Sequence, residues 1–192
     1  MSPDFYEMTL FDAYLALGGA LLALGVAFAA GNPKVNAALL AFPRSPIATV
    51  LCFGGAAAWF LFAIGNLGEA DLAGFPREWL YGAFGLTALL AFFVLPDLLA
   101  VRGLAIAMLL AARELLDIGY MQTPRSLALA ATCYAFVVLG VWWGVSPYVF
   151  RDWLQWLLAK TTRARAAGGL LAAIAAANLI SAFFSTPAPA PL

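Results

Sequence analysis

Arg113, Glu114 and Asp117 lie inside a hydrophobic stretch that runs from about residue 97 to residue 120 and also carries Arg102. On one helix, at 100° per residue, Arg102, Arg113 and Asp117 fall within about 60° of one another. Arg113 and Asp117 are four residues apart, the spacing at which helical side chains meet. Between Arg102 and Arg113 every residue from Gly103 to Ala112 is apolar or glycine. Ten residues make roughly 15 Å of helix, half the hydrocarbon thickness of a bilayer. A helix that spans here must take some of these charges into the membrane or cover them with protein. Ionisable groups at that depth are costly and mark pairing or function. Three roles are open to this intramembrane set: an ion pair that locks the bundle, an ion or proton path, and helix ends snorkelling to water.

Other chemistry is mostly excluded. Histidine is absent, which removes His-ligated haem, imidazole-bound zinc or copper, the Ser-His-Asp triad and the HExxH metalloprotease motif. The two cysteines, Cys52 and Cys133, stand alone in apolar stretches and form no CxxC, so they read as small buried hydrophobes. Any metal would rest on carboxylates and carbonyls, which suit hard ions. The loop Asn66 to Asp71 offers such oxygens but lacks the twelve-residue calcium pattern. No phosphate-cradling GxxxxGK[ST] or strand-linked GxGxxG occurs. With no basic block and no known recognition motif, nucleic acid is not an expected partner. No catalytic constellation and no cofactor are expected.

The elements that carry these residues follow from composition. The chain is 65% apolar with no formal net charge, against about 45–50% apolar for a soluble domain. Six stretches are long enough to span: about 10–30, 46–66, 78–95, 97–120, 125–145 and 166–185. Turn residues separate them, most thinly between the third and fourth, where a tight hairpin and one broken helix are both compatible with Pro96-Asp97. The first stretch follows Asp4 and Glu7 and has no positive flank, so it reads as a retained span rather than a signal peptide.

Ser146-Pro147 is a helix-start signal. The segment after it, about 147–160, sets Phe150, Trp153, Leu154, Trp156, Leu157 and Leu158 against Arg151, Asp152, Gln155 and Lys160. That pattern predicts an amphipathic helix at the membrane surface, anchored by Trp153, Trp156, Lys160, Arg163 and Arg165. Residues 186–192 form a Pro/Ala-rich tail expected to be disordered.

The fold expected is an all-α polytopic membrane bundle, one domain over 1–185, with six spans and one interfacial helix. With the N-terminus outside, cytoplasmic segments hold Lys34, Arg44, Arg102, Arg151, Lys160, Arg163 and Arg165, and outer segments only Arg77 and Arg125. Both termini are then outside, and the Ala-rich, loop-poor composition points to a bacterial plasma (inner) membrane. Pro43-Arg44-Ser45 with Cys52 recurs as Pro124-Arg125-Ser126 with Cys133, a weak sign of inverted three-helix halves.

Small residues recur at Gly140 and Gly144, at Gly169, Ala173 and Ala177, and at Ala83, Thr87 and Ala91, spacings that let helices approach closely. Asn178, Ser181, Thr49 and Thr132 are polar groups able to bond across helices. The leading functional expectation is a multi-pass membrane protein without catalytic chemistry, a subunit or assembly partner of a larger membrane complex, with the lipid bilayer and other membrane subunits as partners. The alternatives are a small transporter or channel using the charged fourth stretch, and a lipid-active enzyme using Glu114, Asp117 or the outer acidic loop as acid and base.

Overall fold

The structure is a computed structural model that describes residues 8–72, 74–95 and 97–185. Asp4, Glu7 and the 186–192 tail lie outside the described residues. Among the described residues the regular structure is helical, without strands. The helices are α1 Leu10–Ala30, α2 Pro33–Ala41, α3 Pro46–Gly65, α4 Arg77–Val94, α5 Leu99–Ile118, α6 Leu127–Val145, α7 Pro147–Leu158 and α8 Thr161–Ser185.

Local chemistry sets the boundaries. Thr9 and Asp12 form a capping box at the start of α1: the Asp12 N–H donates to Thr9 Oγ1, and the Thr9 N–H donates to the Asp12 carboxylate at 3.0 Å. Gly31, at φ +60°, ends that helix in the left-handed conformation glycine adopts without strain. Asn32 then caps α2 through the Lys34 N–H, with Pro33 at the first helical position. α2 is an element the sequence expectations did not include. Pro147 opens α7 as expected, but the Ser146 side chain makes no capping bond. The sixth apolar stretch becomes a helix that begins at Thr161, five residues earlier than expected.

The six long helices α1, α3, α4, α5, α6 and α8 alternate in direction between two ends of the bundle. Gly25 faces Gly168 and Gly18 faces Ala175, so α1 and α8 are antiparallel. Phe53 packs edge-on against Phe92, and Phe60 against Phe84, which sets α3 and α4 antiparallel. Gly140 meets Ala105 and Gly119 meets Ser126, which does the same for α5 and α6. The third and fourth stretches are therefore a hairpin. α4 ends at Val94 and α5 begins at Leu99, with Leu98 left-handed at φ 58°, and α4 leans on α3 rather than on α5.

Two apolar clusters hold the bundle. Leu10, Tyr14, Leu17, Ala112, Leu129, Cys133 and Ala175 gather toward one end. Phe28 and Val101 gather toward the other with Phe150, Leu154 and Leu157 of α7. Polar groups cross between helices as well. The Tyr14 hydroxyl donates to the Arg125 carbonyl at 2.7 Å and accepts from the Leu129 N–H. The Asn178 side-chain amide donates to Thr132 Oγ1 at 3.0 Å. Ser181 instead bonds a carbonyl of its own helix, and Thr49 the carbonyl of Ser45, which caps α3.

Much apolar surface faces outward. Only 17% of the most apolar window of α3 is buried, and Leu22, Val26, Leu51, Phe62, Leu170 and Phe183 are exposed. A helix apolar on all sides but buried on one suits lipid as its solvent. Six spans were expected. Among the described residues, four helices, α1, α3, α6 and α8, are long and apolar enough to cross a membrane. α4 and α5 have the length, at 18 and 20 residues, but Arg77 and Glu78 open α4 and four charges interrupt α5.

Candidate functional site

The four charges of α5 do not converge. Arg102 stands three residues from the start of the helix, at the end shared with α2 and α7. Arg113, Glu114 and Asp117 occupy the last two turns at the opposite end. Arg113 and Glu114 approach to 3.5 Å, a long contact for an ion pair. The Arg113 side chain is 61% exposed, so the pair sits on the outer surface of the bundle rather than inside it. Asp117 is also exposed and has no ion-pair partner among the described residues. Arg113 lies about 7.5 Å along the axis from Ile118, close enough for its guanidinium to reach the helix end.

Arg102 has different surroundings. It is partly buried, and its Nε is shielded from solvent without a hydrogen-bond partner. It lines a cavity of about 460 Å³ formed by Phe53, Phe60, Phe84, Ala91 and Leu99, among others. The cavity exists because α4 and α5 diverge from their short turn. Nothing in the residue pattern announced that divergence. Thr87 and Ala91, whose spacing suggested close helix packing, line this space instead.

The other small-residue motifs sort clearly. Gly140 lies against the Ala105 carbonyl and Leu109, so the GxxxG of α6 packs within the bundle. Gly169, Ala173 and Ala177 face outward. The seam of α8 runs one position away, through Gly168, Ala175 and Ala182, and meets Gly18 and Gly25 of α1.

On α7, Pro147, Phe150, Leu154 and Leu157 turn into the bundle. Trp153 and Trp156 lie at the edge of that face, 38% and 54% exposed. The amphipathic face is therefore spent mainly on protein, and the tryptophans flank it. Trp153 sits near Trp143, with ring centroids 6.0 Å apart. The Arg163 guanidinium covers the Trp156 ring at 4.3 Å and donates to the Trp156 carbonyl at 3.1 Å, a cation–π contact that ties the start of α8 to α7. Arg151 pairs with Asp152 at 2.7 Å. Lys160 and Arg165 are exposed.

The two ends of the bundle differ in charge. One end carries Lys34, Arg44, Arg102, Arg151, Lys160, Arg163 and Arg165 with Asp97 and Asp152. The other carries Asp12, Glu69, Asp71, Glu78, Glu114 and Asp117 with Arg77, Arg113 and Arg125. Among the described residues no group of three His, Cys, Asp or Glu side chains is placed to hold a metal ion. The repeated Pro-Arg-Ser segments differ in setting: Ser45 caps a helix through the Ala48 N–H, whereas Ser126 makes no cap. No family model, curated protein or solved structure matches this chain.

Proposed function

We propose that this chain is a six-span protein of a bacterial plasma membrane that serves as a subunit or assembly partner of a larger membrane complex. The separation of charge between the two ends supports the orientation. The Lys/Arg-rich end, with Trp153, Trp156 and Lys160 at headgroup level, faces the cytoplasm, and Leu10 and Ser185 lie toward the outer side. α5 becomes a span because its charges sit near its two ends. The ten residues between Arg102 and Arg113 cross the centre, and both arginines snorkel.

The observation that carries the assembly reading is α4. It has no buried residue. Its outward surface combines Trp79, Leu86, Leu89 and Phe93, the last 82% exposed, with Gly82 and Gly85, where an added Cβ would meet nothing within 4 Å. Lipid provides no hydrophobic drive for helix association, so partner helices are held by close backbone approach, which such glycines allow. Extraction from native membranes in mild detergent should therefore return the chain with at least one further polypeptide. Gly82→Leu combined with Gly85→Leu should release that polypeptide and leave the melting of the chain itself unchanged. A chain that purifies alone from its native membrane would overturn the reading.

A further inference from the structure

The cavity beside Arg102 combines features that together describe a ligand. Its walls are aromatic and aliphatic, from Phe53, Phe60, Phe84 and Leu99. The Thr87 hydroxyl in the wall is already committed to the Ala83 carbonyl at 2.7 Å, so mid-cavity the walls ask for a hydrocarbon. Arg102 is the single charged side chain in the lining. Its Nε is shielded without a hydrogen bond, and no carboxylate among the described residues pairs with it. The Nε–H is shielded without an acceptor, and the partly exposed guanidinium has no carboxylate beside it among the described residues, so an oxyanion brought from outside finds an uncompensated cation there.

The dimensions point to a source. The lining runs along α4 from Phe84 to Leu95 just past its end, about 16 Å at helical rise, or one leaflet of a hydrocarbon core of about 30 Å. Arg102 lies at the Lys/Arg-rich end of that length, where the headgroups of the leaflet would be. The volume, about 460 Å³, is within the range of pockets that hold small ligands. Resting on the membrane reading above, we propose that this cavity binds one anionic phospholipid of that leaflet, an acyl chain between α3, α4 and α5 and the phosphate on Arg102. Guanidinium and phosphate match as planar fork and paired oxygens, and selectivity comes from net charge, because the choline ammonium of a zwitterionic headgroup would add a second cation beside Arg102.

The test uses the full chain, purified in mild detergent and stripped of lipid. Phosphatidylglycerol or phosphatidylcholine with identical acyl chains is titrated in, and bound lipid is counted by native mass spectrometry. One phosphatidylglycerol per chain should be held about tenfold more tightly than phosphatidylcholine, whose phosphate can make the same contact but whose choline cation is repelled by Arg102. Arg102→Gln should bring the two lipids to near equality, and Arg102→Lys should keep most of the preference. Ala91→Phe, which fills the cavity, should weaken both lipids alike. This variant keeps the test open if Arg102→Gln does not fold. Equal retention of the two lipids by the native chain, or a preference untouched by Arg102→Gln, would overturn the proposal. So would tighter binding of oleate than of phosphatidylglycerol, which would make the ligand a free fatty acid. A chain that fails to enter phosphatidylglycerol vesicles would overturn the membrane reading itself. A chain that enters them without lipid preference would sink only this inference.

Discussion

Gly103→Ala should cost this protein about 3 kcal/mol or more of stability, a large part of what holds a bundle of this size together. Gly103 is where α5 crosses α3. A Cβ placed there would lie 2.6 Å from the Cys52 carbonyl carbon and closer still to the Phe53 backbone N and Cα. The obstacle is backbone, so no rotamer change relieves it, and one helix axis must move. α3 already departs from α-helical form at this point, as a π-helical segment over Thr49–Gly54. Such segments arise where a helix is locally displaced. In an unobstructed helix, glycine to alanine stabilises by roughly 0.5–1 kcal/mol. The sign of the change is therefore diagnostic. Gly19, where an added Cβ meets nothing within 4 Å, supplies the control: Gly19→Ala should be neutral or slightly stabilising. Unfolding by denaturing detergent in mixed micelles measures both. A Gly103→Ala chain as stable as the native one would show that α3 and α5 do not cross this closely.

Gly168→Leu should be comparably damaging. It lies in the seam that joins the first and last long helices. An added Cβ at Gly168 would sit 2.6 Å from the Gly25 carbonyl oxygen and 2.7 Å from the Ala29 N. At Gly25 it would sit 2.9 Å from the Gly168 carbonyl oxygen. The two backbones are thus in mutual contact, with Gly18 and Gly25 on one side and Gly168, Ala175 and Ala182 on the other, seven residues apart. A leucine forces α1 and α8 apart and strips dispersion contacts along the whole seam, a loss of about 3 kcal/mol. The neighbour decides the matter. Gly169→Leu, on the outer face with nothing within 4 Å, should leave stability within about 0.5 kcal/mol of native in the same unfolding measurement. Greater damage at 169 than at 168 would mean that the seam has the wrong register.

The contrast between Gly168 and Gly169 also shows what the residue pattern could and could not convey. The positions of the long helices were legible because apolar runs of bilayer length end at turn residues such as Gly31-Asn32-Pro33 and Ser146-Pro147. α7 was legible because its polar residues mark a period. In α6 and α8 apolar residues surround the axis, so no stripe says which side turns inward. Gly169, Ala173 and Ala177 had the spacing of a packing face, yet they face outward. α2 was missed although Asn32-Pro33 is a sound helix start, because its nine residues are too short for a span and show no clear apolar face. Arg102 was singled out from its place in an apolar run. Its cavity was not legible, because it depends on how far α4 leans from α5. An ion pair that locks the bundle was one of the roles open to Arg113, and its contact with Glu114 is instead an exposed one.

The Lys/Arg-rich end and the acidic end should lie on opposite sides of a membrane, which sided labelling measures. Cys52 and Cys133 are first replaced by alanine, and single cysteines are introduced at Glu69 and at Lys160. With a membrane-impermeant maleimide on intact cells, the cysteine at 69 should label at once. The cysteine at 160 should label only after the membrane is permeabilised. Labelling of both in intact cells, or of 160 without 69, would mean that the two ends do not lie on opposite sides in this orientation.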